Sequence, residues 1–218
     1  MFTLAFDTTS NFCSLVLFDD KKEVARFEKE MDFGQAEVLM PQIAAILRGH
    51  NLEFKNLNLA VVCTGPGSFT GVRSSVAAAR AFALACPNVT VCGVSAFDTY
   101  AADFEPEELT DVNVVLIETK REDYYVQYYD KGLNKLSEPA TAFYDDIIRS
   151  LQGKSVSFAG DGVERFLNKP SGLHLHAVKT HFNPPVDKLA LIGIKRYLNK
   201  TTDFPKPLYL KAPDVCVK

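Results

Sequence analysis

Residues 65–73 read Gly-Pro-Gly-Ser-Phe-Thr-Gly-Val-Arg, between an apolar run at 59–63 and an alanine-rich stretch that ends at Pro87. A chain that turns there from strand into helix aims backbone N–H groups and the positive end of the helix dipole at one point, which suits an anion. Gly65, Gly67, Ser68, Thr70 and Gly71 are therefore the candidate anion- or nucleotide-proximal residues. No Gly-Lys-Ser/Thr ends the loop, so it is not a Walker A loop, and its Gly-x-Gly-x-x-x-Gly spacing is not the dinucleotide fingerprint. The same residues equally suit a tight strand-to-helix turn capped by Thr70. Residue types alone leave both readings open.

Asp7 is the next candidate, at the end of the first apolar run and before Thr8-Thr9. A carboxylate in that place can hold Mg²⁺ near nucleotide phosphates. Asp-Thr-Thr, however, lacks the glycine that lets a phosphate come close. Asp161, in Gly160-Asp161-Gly162, is a second turn carboxylate. Together with Glu118 these acids are too few for a two-metal nuclease, which needs several converging on its ions. His174 and His176 alternate onto one strand face, with His181 nearby, but no fourth metal ligand stands near them in sequence. No Gly-x-Ser-x-Gly elbow or Ser–His–Asp ordering is present. Tyr124, Tyr125, Tyr128 and Tyr129 read as the packing faces of a strand.

These residues need elements to position them. Three β-rich runs, 2–7, 14–18 and 24–29, are joined by short turn-like segments and so pair antiparallel. A helix is expected over 35–48, where Leu39, Ile43, Ile46 and Leu47 form one apolar stripe and Gly49 is the stop. Pro41 inside that pattern predicts a separate or kinked first turn. A strand at 59–63, a helix at 72–85 and a strand at 89–94 follow. The order β-β-β-α-β-α-β is the ribonuclease-H-like arrangement, with a mixed sheet.

The second half repeats that order more loosely. Strands are expected at 112–117, 124–130, 133–137, 156–159 and 173–178, with helices at 142–151, 163–167 and 187–199. Glu105-Pro106-Glu107-Glu108 marks the boundary between an N-terminal unit, 1–104, and a smaller degenerate repeat, 105–218, whose last helix is expected to pack back on the first. The expected fold class is α/β, an actin-like or Hsp70-like plan of two ribonuclease-H-like subdomains facing across a cleft.

The helix at 72–85 carries six alanines before Cys86 and small side chains nearly all round. Arg73 and Arg80, seven apart, share a face with Ala77 and Leu84. The first helix has a second small face in Ala36, Met40 and Ala44. A helix apolar on two faces is covered twice, either inside the fold or at an interface. If at an interface, the candidate residues are Leu39, Met40, Ile43, Arg73, Val76, Ala77, Arg80 and Leu84.

The 218 residues are 47% hydrophobic and 23% charged, which excludes a disordered or low-complexity chain. A net charge of −3 argues against a protein held to nucleic acid by phosphate contacts alone. Five cysteines, odd in number and without Cys-x-x-Cys spacing, argue against a disulfide framework. The N-terminus has no basic leader and no apolar run reaches ~18 residues, so a cytoplasmic chain with no membrane contact is expected.

The 65–73 segment, the alanine-rich helix and Gly93-Val94-Ser95 together resemble the bacterial TsaB (YeaZ-like) family of the tRNA threonylcarbamoyladenosine system. Ala5-Phe6-Asp7-Thr8, Leu39-Met40-Pro41, Phe158-Ala159-Gly160-Asp161-Gly162 and the tail 207–211 match as well. The resemblance implies an actin-type fold with a degenerate nucleotide site and no catalytic residues or cofactor of its own. It implies similarity to a catalytic paralogue, TsaD, which transfers the threonylcarbamoyl group to adenosine 37 of tRNA. The metal motif HxxxH of that paralogue is replaced here by Ala96 and Tyr100. It further implies that the first two helices bind TsaD, or a second copy when the chain is alone, with Arg73 and Arg80 making polar contacts. TsaE, a P-loop ATPase, joins the larger complex; ATP, Mg²⁺ and metal belong to the partner side, and tRNA is met indirectly. The sequence departs from the family pattern at Gln35, at Glu118-Thr119-Lys120 and at Glu122. The expected function is thus a non-catalytic scaffold subunit. The alternative is an ATP-dependent phosphotransferase using Asp7 and the 65–71 loop. A metalloprotease-like hydrolase is disfavoured by the missing HxxxH.

Overall fold

A computed structural model describes residues 1–211; Cys216 of the sequence lies outside the described residues. The first half of the chain forms β1 (Phe2–Asp7), β2 (Phe12–Asp19), β3 (Lys22–Glu30), α1 (Gln35–Gly49), β4 (Leu59–Cys63), α2 (Phe69–Ala85), β5 (Thr90–Val94) and α3 (Ala96–Ala101). The second forms β6 (Val112–Glu118), β7 (Asp123–Tyr129), β8 (Ala140–Phe143), α4 (Tyr144–Leu151), β9 (Ser155–Gly160), α5 (Val163–Leu167), β10 (His174–Thr180) and α6 (Val186–Leu198).

β1 and β4 are apolar on both faces, so each has to be central and covered on two sides. They pair parallel in a sheet of order β3-β2-β1-β4-β5, with β1–β2 and β2–β3 antiparallel. One face meets α1 and α2, where Leu39, Ile43, Leu47 and Phe82 pack with Leu4, Phe6, Leu15 and Leu17. The other face meets α6, pressed so close that a Cβ on Gly193 would lie 2.2 Å from a Val61 methyl. A helix from the end of the chain therefore completes the first sheet.

The second sheet repeats the plan in the order β10-β9-β6-β7-β8. Val114, Leu116, Tyr124 and Phe158 pack on one side with Ile147 and Leu151 of α4 and Phe166 of α5. On the other side Val115, Ile117 and Ala159 join Ala5, Val61 and Cys63 of the first sheet, with α3 and α6, in one core between the sheets. The α/β plan of two ribonuclease-H-like mixed sheets is the observed fold. No described helix is long and apolar enough to cross a membrane.

Several boundaries differ from the expectation. The third strand of the second half is β8, not 133–137. Asp130 accepts bonds from the amides of Gly132 and Asn134 at 2.8 Å each, which reverses the chain, and only one isolated bridge, Tyr129 to Lys135, remains there. The helix expected at 142 starts at Tyr144 because β8 takes the preceding residues. α1 runs unbroken through Pro41, which sits on the exposed side. α3 was not expected; six residues are too few to show a period, and its signal is Ser95, whose Oγ accepts from the Asp98 amide at 3.0 Å.

Candidate functional site

The 65–71 loop is a tight turn built against the β1–β2 connection. A Cβ on Gly67 would stand 2.3 Å from the Thr9 carbonyl oxygen, and one on Gly71 1.8 Å from that of Thr8. Only glycine permits that approach. The Ser68 amide donates to the Thr9 carbonyl at 2.7 Å, the Thr8 hydroxyl to the Gly71 carbonyl at 2.8 Å, and Ser75 Oγ accepts from the Thr8 amide at 3.1 Å. Gly65 has a positive φ of 89°, a second reason for glycine. The cap of α2 is Ser68, which accepts from the Gly71 amide at 3.3 Å. Thr70 is corrected from cap to first-turn residue, its carbonyl accepting from Ser74 Oγ at 2.8 Å. The two closest glycines thus serve backbone packing against threonine carbonyls.

Beside this loop a cleft of about 640 Å³ opens between the two sheets. The β1–β2 turn lines one side with Thr9, Ser10 and Asn11, and the β6–β7 turn the other with Glu118, Thr119 and Lys120. Lys120 Nζ donates to Asn11 Oδ1 across it at 2.9 Å. Glu118 is held by Arg165, with contacts of 2.6 and 2.9 Å, and that guanidinium lies 3.8 Å from the centre of the Tyr124 ring. Phe69 and Tyr209 stack at 5.3 Å on the α2 side, and Lys211 pairs with Asp123.

Asp161 lines the floor, and Asp7 lies close enough to act on its charge. Asp7 is fully buried; its Oδ1 accepts the Thr9 amide at 3.0 Å and its Oδ2 has no partner. Burial disfavours its charged form and pushes its pKa up to about 6. Asp161 accepts the Glu118 amide at 2.9 Å; burial, with smaller additions from Glu118 and Asp7, pushes it up to about 7. Tyr100, fully buried in α3, has no hydrogen-bond partner for its hydroxyl, and burial, with smaller additions from Asp161 and Asp7, holds its pKa well above the usual phenol range. Asp7 offers no exposed oxygen to a nucleotide's metal. Asp7 and Asp161 are brought together as the sequence could not predict. Sequence reasoning missed Ser10 altogether, weighed His181 only as a metal ligand beside His174 and His176, and noticed Tyr100 only as a replaced metal ligand.

The helix faces sort differently from the expectation. Leu39, Ile43 and Val76 are 1%, 0% and 3% exposed, so they pack within the chain and are corrected from the interface set. Ala77 and Arg73 are exposed, Leu84 is 85% exposed and Met40 39%. Arg80 is exposed and also makes an internal contact: its Nε and Nη2 donate to the Pro205 carbonyl at 3.1 and 3.0 Å. Arg73 lies over its own Phe69, 4.7 Å from the ring centre. His174 and His176 gather no metal set; His176 Nε2 contacts the Glu107 carbonyl at 2.8 Å. Among the described residues no group of three His, Cys, Asp or Glu side chains could hold a metal ion.

With this geometry in place, comparison with known proteins decides the family. The model of the family described as TsaD, tRNA N6-adenosine threonylcarbamoyltransferase, matches residues 34–216. The chain belongs to this family. Within it the chain is TsaB/YeaZ-like. It is 26% identical to the tRNA threonylcarbamoyladenosine biosynthesis protein TsaB of Escherichia coli, over 95% of the chain and 94% of that protein. It is 28% identical to TsaB of Buchnera aphidicola, where the match spans 57% of each, little more than half the length of that relative. YeaZ from Pseudomonas aeruginosa has the same fold, with a TM-score of 0.80 at 19% identity over 96% of this chain and 99% of that one. A Bacteroides thetaiotaomicron protein with actin-like ATPase fold overlays with a TM-score of 0.50 at 10% identity, over 88% of this chain and 95% of its own.

Proposed function

We propose that the chain is a non-catalytic subunit of the machinery that makes threonylcarbamoyladenosine in tRNA, and that it binds a catalytic TsaD paralogue through α1 and α2. The observation that carries this reading is the apolar face the two packed helices leave uncovered. Phe33 is 89% exposed just before α1, and Leu84 is 85% exposed near the end of α2. Met40 and Ala77 lie on the same exposed sides, with Arg73 to add polar contact. Large apolar side chains in a patch of small ones favour close helix approach by a partner.

In this reading the chain has no cofactor of its own. ATP, Mg²⁺ and metal belong with the partner, TsaE joins the larger assembly, and tRNA is reached only through it. Alone, the chain pairs with a second copy through the same face; the division into units 1–104 and 105–218 is crossed by α6, which packs on the first sheet. Burial of Asp7 and the threonine carbonyls packed on Gly67 and Gly71 weigh against the phosphotransferase alternative. The test is co-purification of the tagged chain from its source cells with identification of bound proteins. Stoichiometric recovery of an HxxxH-bearing paralogue is expected. Recovery of the chain alone, together with micromolar Mg-ATP binding that Asp7→Ala abolishes, would replace this reading with the phosphotransferase one.

A further inference from the structure

The cleft collects buried polar atoms without a hydrogen-bond partner among the described residues. Ser10 Oγ and Tyr100 OH belong to residues that line it and have no hydrogen-bond partner among the described residues. Asp7 Oδ2, of a residue outside the lining, has none either, while His181 Nε2, also in the lining, faces Asp103 Oδ2 at 3.4 Å. Native proteins pair almost all such groups, so two unpartnered hydroxyls in the lining of one cavity mark a place for something else. Asp161 lines the same floor; it and Asp7 each accept a backbone amide, from Glu118 and Thr9, and no salt bridge reaches either from the described residues. A buried carboxylate without a counter-charge is relieved by a proton or by a cation.

The character of that cation follows from the walls. Phosphate is disfavoured at the floor: the Asp161 carboxyl lines it, and the carbonyls of Thr8 and Thr9 face Gly71 and Gly67 where amides would be needed. Of the cations in the lining, which include Arg121, Lys120 is bonded to Asn11 and Lys211 is paired with Asp123. A bare metal is disfavoured as well, since no three metal-ligating side chains converge among the described residues. The upper walls are aromatic, with Phe12, Tyr125, Phe182 and the stacked Phe69 and Tyr209. Aromatic faces above a negative floor suit a cationic head on an apolar body, and 640 Å³ is room for a small molecule.

We propose that the cleft binds a small organic cation, with its ammonium or guanidinium head against Asp161 and Tyr100 and its apolar body between the aromatic walls. The inference is independent of which partner the helices bind.

The experiment is a protein-observed NMR titration of the full chain with 2-phenylethylammonium chloride, with 2-phenylethanol as the neutral analogue and Mg²⁺ and Mg-ATP as competitors. The expected result is saturable shifts at the cleft with a dissociation constant on the order of 1 mM. The alcohol and the Asp161→Asn variant should each bind at least tenfold more weakly. Should Asp161→Asn fail to fold, Tyr100→Phe, which removes only the hydroxyl, should weaken binding several-fold. Equal binding of the alcohol, or no saturable shift, would overturn the proposal. Displacement of the probe by submillimolar Mg²⁺ or Mg-ATP would overturn it in favour of a metal–nucleotide site.

Discussion

Arg80 grips the carbonyl of Pro205 with two guanidinium nitrogens, at 3.1 and 3.0 Å, and lies 5.6 Å from the centre of the Phe204 ring. This ties the middle of α2 to a segment more than a hundred residues away in sequence. The same segment bonds the first sheet through the Gly93 amide to the Asp203 carbonyl and the Leu208 amide to the Thr64 carbonyl, both at 2.8 Å. Arg80 is therefore an internal anchor on a helix whose neighbouring positions are open to a partner.

Arg80→Ala should loosen that anchor. A charge-assisted pair of bonds and the stem packing of arginine together contribute about 1–2 kcal/mol at a half-exposed site. Thermal unfolding should fall by several degrees, and amide exchange at residues 203–208 should quicken. Unchanged exchange there would show that the segment is held without Arg80.

Gly71→Ala places a methyl where the Thr8 carbonyl oxygen already stands, 1.8 Å away. The backbone must shift, at a cost of about 3 kcal/mol or more. Gly49→Ala, with nothing within 4 Å, is the control and should change stability by less than about 1 kcal/mol. Urea midpoints of the two variants check this; similar values would contradict the packed turn.

Asp7 and Asp161 bind protons more tightly in the folded chain than in the unfolded one, where a carboxyl titrates near 4. Between about pH 4 and pH 7 the folded chain keeps protons that the unfolded chain has released. Stability is therefore highest below that window and falls as pH rises through it. Asp7→Asn should flatten the fall and, at pH 8, stabilise the chain by on the order of 2 kcal/mol. Melting curves from pH 4.5 to 8 test it, and a wild-type chain that gains stability over that range would refute the assignment.

What could be read ahead of the structure follows from where the information lies. β4 and α5 were bounded as observed because each is a short apolar run between breakers. β8 escaped because Ala-Thr-Ala-Phe is a weak edge strand, while the Leu133–Leu136 alternation beside it belongs to a turn, with Leu133 at φ 58°. The glycines of the 65–71 loop were legible as a turn, but the carbonyls that fill their space come from Thr8 and Thr9, brought there by parallel pairing of β1 with β4. Leu39 and Ile43 read both as a core-facing stripe and as interface candidates, because a periodic stripe says that a face is buried and not what buries it. Asp7, Tyr100 and Asp161 meet only because the two sheets face each other across α3, which no local pattern encodes.

The most direct measurement is a calorimetric titration of the chain with the TsaD paralogue of the same organism, wild type against Leu84→Asp. Leu84 is 85% exposed and supports no internal contact of weight, so the substitution should leave folding stability within about 0.5 kcal/mol. A one-to-one complex is predicted for the wild type, weakened about thirtyfold or more by the aspartate on the exposed face of the last turn of α2. Equal affinity of the two proteins, or no complex with either, would contradict the account.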